Sequence, residues 1–291
     1  MRCLNTFARC RRTLESTGCR LVKKQPLHEE NKFWDVLAAH HEAIEDNFLD
    51  LASLRRIIGE VRSPVLVVGA GQGLLVAELQ SKGFQCDGVD FSAEMIRYAR
   101  SRRRIGLIQA DATALPLGDA TYESVIYATG VIDFNSDEEA IRSMLSEGRR
   151  VVKPGGKIFV AFYRLSPALE DFLTKVRLLS DNVLLHRRSL ETYLLEPAQL
   201  VQWVMKNAGT GWLGAVALML RMAAFGTLRE KATTLKMQKI FRSMEHPRAF
   251  IMAASETQPY RNEAEVRRLF DRLGASIKKL RTLASCWIVQ I

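Results

Sequence analysis

Three glycines at alternate positions, Gly69, Gly71 and Gly73, follow the apolar run Val65-Leu66-Val67-Val68 and precede Leu74-Leu75-Val76-Ala77-Glu78-Leu79. Glycine lets backbone approach a ligand closely, and the amides that open the next helix point at whatever lies in front of them. Such a turn serves binding rather than bond making. A dinucleotide fingerprint carries glycines at its first, third and sixth positions. Here the sixth position is Leu74 and the third glycine is Gly73, a spacing that argues against a NAD- or FAD-dependent oxidoreductase.

Two acids stand in comparable places further on. Asp90 directly follows residues 84–89, which read as a strand, and Asp111 lies in Gln109-Ala110-Asp111-Ala112. An acid at a strand's carboxyl end can accept hydrogen bonds from both hydroxyls of an adenosine ribose. A second, one strand further along, can accept from an adenine amino group. Each acid taken singly also reads as a helix cap or turn residue. The glycine turn and the two acids, in this order at three successive strand ends, are what point to a nucleoside-containing ligand.

The elements that must position these residues can be read from periodicity. Residues 65–68 are a continuous apolar run with three β-branched valines, as expected of a strand buried on both faces of a parallel sheet. Further strands are predicted at 84–89, 106–109, 124–127 and 157–162, the last entered through the turn Pro154-Gly155-Gly156. Helices are predicted after Ser92 and over 137–152, and apolar spacings of three and four predict a long helix over 31–60. Strands alternating with helices imply right-handed crossovers and a parallel sheet. Near the end, Asn262 and Glu265 form a capping box, Gly274 stops the helix, and strands at 276–283 and 285–291 must pair antiparallel because so little chain joins them. The predicted fold class is therefore α/β: a Rossmann-like, doubly wound seven-stranded sheet with a terminal antiparallel hairpin and a helical insertion after strand five. The expected domains are a basic N-terminal segment (1–24), a ligand-binding domain (25–164 and 259–291) and a helical lid (165–258) over the sheet's carboxyl edge.

The motifs just quoted, with Gly88-Val89-Asp90-Phe91-Ser92, Leu115-Pro116-Leu117 and Val152-Lys153-Pro154-Gly155-Gly156, resemble those of class I S-adenosylmethionine-dependent methyltransferases, in particular the group of quinone-biosynthesis and small-molecule enzymes. The resemblance covers residues 31–164 and 259–291. It implies S-adenosylmethionine as the cofactor, with Gly69, Ala70, Gly71 and Gly73 at its methionine end. It places Asp90 and Phe91 at the ribose, Asp111 and Ala112 at the adenine, and Thr129 with Gly130 near the sulfonium. One position departs from the family: the acid usual two residues before the first glycine is Val67.

Methyl transfer from a sulfonium needs alignment and exclusion of water, and a base only where the acceptor has a proton to lose. Candidates for acceptor contacts or a base are His40, His41, Tyr127, Asp133, Tyr163, His186 and His246. Tyr127 and Asp133 are favoured because they are expected in the loop after strand four. No catalytic residue is assigned, and no metal site is expected. The apolar lid implies a small or amphipathic acceptor such as a quinone precursor, lipid or secondary metabolite. The alternative is a non-catalytic module that binds the donor and acts through a partner or a membrane.

Composition bounds these readings. The 291 residues carry net charge +10, partly from Arg2, Arg9, Arg11, Arg12, Arg20, Lys23 and Lys24 against the single acid Glu15. That start reads first as a basic tail and second as an organelle transit segment. Five cysteines with no paired spacing and no C-x-x-C imply a reducing compartment. A cytoplasmic location is expected, with peripheral membrane contact or mitochondrial import as alternatives. Residues 211–228 hold one charge, Arg221; they read as a buried lid helix, with a helix lying on an anionic membrane as the second reading. The run Arg97, Arg100, Arg102, Arg103 and Arg104 lacks the interleaved aromatics of a nucleic-acid surface and reads as a solvated helix face.

Overall fold

A computed structural model describes residues 34, 35, 38, 57–133, 135, 137–163, 197–224, 262–283 and 286–291. Its strands are β1 (Val65–Val68), β2 (Cys86–Asp90), β3 (Ile108–Gln109), β4 (Tyr122–Tyr127), β5 (Val152–Tyr163), β6 (Lys279–Thr282) and β7 (Cys286–Gln290). They form one sheet in the order β3-β2-β1-β4-β5-β7-β6. The five strands from β3 to β5 pair in parallel, whereas β7 runs antiparallel to both β5 and β6. This is the seven-stranded α/β sheet with a terminal hairpin expected from the sequence. β1 lies centrally between β2 and β4, which explains its unbroken apolar run: all four of its residues are at most 1% exposed.

The helices are α1 (Leu74–Ser81), α2 (Ala93–Tyr98, continued by a π-turn, Ala99–Arg103), α3 (Glu138–Val151), α4 (Pro197–Ala208), α5 (Trp212–Ala224) and α6 (Glu263–Arg272). Alternate residues of β1 serve opposite faces, as the strand's period of two requires. Val65 and Val67 join Leu75, Val76 and Leu79 of α1, whereas Leu66 and Val68 join Ile141, Phe162, Leu269 and Phe270. Phe162 and Phe270 meet edge to face at 6.0 Å. The capping box on α6 is present in both directions, Glu265 N–H donating to Asn262 and Asn262 N–H to Glu265. Arg142 of α3 donates to the carbonyls of Arg272 and Leu273, fastening the carboxyl end of that helix.

Several boundaries differ from the sequence reading. Asp90 is the last residue of β2 rather than the first beyond it. β5 starts at Val152, because the Pro154-Gly155-Gly156 stretch stays in the sheet as an irregularity between the Tyr122 and Ser124 pairings. Within the predicted helix 31–60, residues 34, 35 and 38 are helical and Ile58–Glu60 is a 3-10 turn; 39–56 lie outside the described residues.

The insertion is helical where it is described. Pro197 occupies the first position of α4, where its missing N–H is harmless. Val204 and Ala215 are buried where α4 and α5 pack on each other. α5 is not a buried helix, however: Trp212, Leu213 and Leu220 are 60, 77 and 68% exposed. No helix among the described residues is long and apolar enough to cross a membrane.

Candidate functional site

The loops after β1, β2, β3 and β4 lie side by side because the strand ladder continues beyond the strands. Ala70 N–H donates to Val89 O, Ala110 N–H to Asp90 O, and Ala128 N–H to Val68 O. Gly69, Gly71 and Gly73 all have left-handed backbone, at φ of 70, 53 and 74°. Their surroundings nevertheless divide them. A Cβ on Gly69 would lie 2.1 Å from Val131 Cγ2, and one on Gly73 would lie 3.0 Å from Ile105 Cγ2, so both spaces are filled by protein. A Cβ on Gly71 would meet nothing within 4 Å. The middle glycine alone opens on free space. Ala70 is buried, and its methyl joins Leu107 and Val76 in filling the room that Gly88 leaves on β2.

Asp90 is 7% exposed, and its two carboxylate oxygens are held apart in function. Oδ2 accepts from Gly71 N–H at 2.7 Å, and Oδ1 accepts from Ser92 N–H at 2.9 Å. The acid thus ties the glycine loop to the start of α2 while each oxygen keeps a second lone pair. Burial pushes its pKa up to about 6; the backbone amides of Ser92, Gly71 and Phe91 pull it down, and the Asp35 carboxylate nearby adds to the rise. Phe91 follows, half-buried.

Asp111 is also half-buried, but one of its oxygens is engaged locally. Oδ1 accepts from both Thr113 N–H and Thr113 Oγ1, the closed turn that its bland reading anticipated. Only its other oxygen is left for a ligand by those two bonds. Its loop is clamped to α3. Glu147 accepts from Leu115 N–H at 2.7 Å, and Arg150 donates to the carbonyls of Leu115 and Leu117. The Arg150 hydrogen bond holds the Glu147 carboxyl below its ordinary range. The Leu115-Pro116-Leu117 motif is therefore the handle by which α3 positions Asp111 and Ala112.

The loop after β4 is shaped by Asp133, which is completely buried and accepts from Gly130 N–H at 2.6 Å. Thr129 and Gly130 are half-buried at its start. Two sequence expectations change here. Tyr127 belongs to β4 and is 0% exposed; its hydroxyl donates to Met144 O, so it is a core residue turned toward α3 and away from any acceptor. Asp133 shapes the loop through Gly130, a role its position in sequence did not reveal. Tyr163 ends β5, whereas His40, His41, His186 and His246 lie outside the described residues. Asp35 was missed: its Oδ1 accepts from Ser92 Oγ at 2.5 Å and from Glu94 N–H at 3.4 Å. No local pattern could have shown this contact, since 57 residues separate Asp35 from Ser92. Val67 sits at 0% exposure in the apolar cluster with Val65, Leu75, Val76 and Leu79. No cluster of three metal-ligating side chains occurs among the described residues.

Residues 65–156 match the methyltransferase domain family. The demethylmenaquinone methyltransferase of Corynebacterium urealyticum is 37% identical over 113 residues, 38% of this chain and 45% of that one. The enzyme of the same name from Mycolicibacterium gilvum is 30% identical over 149 residues, 48% of this chain and 61% of that one. Both matches thus span less than two thirds of the relatives' own length. A crystal structure of a SAM dependent methyltransferase from Aquifex aeolicus aligns with 87% of this chain and 96% of its own at 14% identity and a TM-score of 0.46. Residues 65–156 thus match a methyltransferase domain, and the sheet that holds them has the Rossmann-like order β3-β2-β1-β4-β5-β7-β6.

Proposed function

We propose that the protein is an S-adenosylmethionine-dependent methyltransferase acting on a small amphipathic acceptor of the quinone-precursor class. The observation that carries the donor is the arrangement along the sheet edge: an acid in the β3 loop, a buried acid ending β2, a glycine facing free space after β1, and a shaped loop after β4. Base, ribose and sulfonium follow one another in the donor in the same order. Asp90 would take the ribose hydroxyls on its remaining lone pairs, Asp111 the adenine amino group on its second oxygen, and Gly71 the methionine end. When bound, the donor supplies an electrophilic methyl group on a positively charged sulfur. The chain's part is to align the acceptor with that methyl and to exclude water, which together supply several kcal/mol of rate enhancement.

The acceptor class rests on two supports. The curated relatives are named demethylmenaquinone methyltransferases. The exposed stripe Leu213, Ala217 and Leu220, with Arg221 next to it and the exposed Lys206 on the neighbouring helix, suits an amphipathic acceptor held at an anionic membrane surface.

The test combines titration calorimetry with transfer of labelled methyl into a lipid extract. Wild type is expected to bind S-adenosylhomocysteine and to label the quinone fraction. Asp90→Ala removes two charge-assisted hydrogen bonds and is expected to weaken binding at least about 100-fold. Unchanged affinity in that variant would overturn the assignment of Asp90. Label confined to protein or nucleic acid would overturn the acceptor class.

A further inference from the structure

Two consecutive residues from outside the sheet touch both sides of the proposed donor site. Asp35 is bonded to Ser92 and to Glu94 N–H, in the loop that follows β2. Trp34 lies over Gly130 in the loop that follows β4: a Cβ on that glycine would come within 2.9 Å of Trp34 Cη2 and 3.3 Å of Cζ2. In the sheet, β2 and β4 flank β1. A segment that contacts the loops of both must cross the loop of the strand between them, which is the glycine turn. Strands lie about 4.8 Å apart, so the crossing spans roughly 10 Å, within the reach of two neighbouring side chains. Gly130 has φ of 92°, a conformation that favours glycine, and its missing side chain is what leaves room for the indole.

This crossing sets what Trp34 faces. If Asp111 and Asp90 hold base and ribose, the sulfur bonded to the ribose's 5′ carbon lies further along the same edge, toward Gly130. We propose that Trp34, held in place by the Asp35–Ser92 contact, forms an aromatic wall beside that sulfur and makes the site prefer the charged donor to its neutral product. The inference rests on the donor reading given above. An indole attracts a cation through its ring quadrupole, most strongly when water is excluded. Asp35 and Asp90 place two carboxylates in the same corner of a chain whose net charge is +10. S-adenosylmethionine would carry its positive sulfur beside the indole, on the far side of the glycine turn from these carboxylates. S-adenosylhomocysteine, with the same base, ribose and amino-acid parts, carries none. A site biased in this way binds donor and releases product, and it does so without any group reacting.

Titration calorimetry with S-adenosylmethionine and S-adenosylhomocysteine on the full chain tests this directly. The quantity read is the Kd of S-adenosylhomocysteine divided by that of S-adenosylmethionine. Trp34→Leu is expected to weaken the methionine ligand roughly two- to thirtyfold while changing the homocysteine ligand little. Trp34→Phe keeps a weaker ring and is expected to fall between. Asp35→Asn, which leaves the indole intact but loosens its tether, is expected to lower the same ratio. Equal losses for the two ligands in Trp34→Leu, or no loss for either, would overturn the proposal by showing that the indole acts through shape alone or not at all. A wild type that binds neither ligand would instead overturn the donor reading, and this inference with it. Thermal melting of each variant separates these results from misfolding, because Trp34 lies outside the sheet's strands.

Discussion

The carboxyl edge of the sheet and the α4–α5 pair solve opposite problems. Along the edge, the acids that shape the loops are answered by backbone: Asp90 by the amides of Gly71 and Ser92, Asp133 by Gly130, Glu147 by Leu115. On α5 the reverse holds, with Trp212, Leu213 and Leu220 apolar and exposed. Buried polar groups demand specific partners and so fix geometry. Exposed apolar groups demand only something apolar to cover them. A ligand with a fixed set of hydroxyls and amines suits the first region, and a greasy acceptor of variable tail suits the second.

The largest effects are expected within the edge itself, where Gly69 and Gly71 should separate stability from binding. Gly69→Ala forces a side chain into left-handed backbone and against Val131. The backbone term is about 1–2 kcal/mol and overpacking adds about 1–3 kcal/mol, so chemical denaturation should show a loss of about 2–5 kcal/mol. Gly71→Ala meets no protein atom, so only the backbone term of about 1–2 kcal/mol applies. Its methyl would instead occupy the free space in front of the loop. Affinity for S-adenosylhomocysteine is expected to fall at least about tenfold, one hydrogen-bond equivalent. Equal behaviour of the two variants in both measurements would break the division of the loop into packing and binding glycines.

Next in size is the response to pH. The Asp90 carboxyl titrates near 6 when folded, against an ordinary value of 3.8. Between those values the folded protein binds more protons than the unfolded chain, so this group's contribution to stability declines as pH rises through the window. The unliganded protein should therefore gain stability relative to Asp90→Asn on going from about pH 7 to about pH 5. Donor binding should move the other way. If the carboxylate is the form that takes the ribose hydroxyls, affinity falls by up to about tenfold per pH unit below the titration point. Calorimetry across that range checks both signs, and a flat wild-type binding profile would remove the ionised Asp90 from the site.

Legibility in the sequence followed the same line between the two regions. β1 could be read because β-branched residues at 65–68 have one plausible home, and the glycine turn because its spacing excludes a dinucleotide fingerprint at Leu74. The terminal hairpin was forced by the few residues between its strands. Tyr127 was misplaced because a tyrosine near a strand end carries no mark of which way it turns; only the Met144 carbonyl across the core settles it. Asp35 was invisible because its partners are remote in sequence. The exposure of α5 could not be read either, since an apolar run looks the same whether its face is covered or bare.

The smallest effect is expected at that bare face. Leu213, Ala217 and Leu220 are spaced four and three residues apart, so they share one stripe of α5, with Arg221 next to it. Full burial of a leucine is worth about 1.5–3 kcal/mol, and partial insertion at a headgroup boundary recovers only a share of that. Replacing Leu213 and Leu220 together by serine is expected to lower cosedimentation with anionic lipid vesicles about five- to tenfold. Turnover of a vesicle-borne quinone precursor should fall with it, while S-adenosylhomocysteine affinity stays at the wild-type value because no described donor contact involves α5. Added salt should weaken vesicle binding of wild type and variant alike, since Arg221 and Lys206 remain. A loss of S-adenosylhomocysteine affinity in the double variant would join the two regions into one site, whereas unchanged vesicle binding would leave the stripe to cover something other than a membrane.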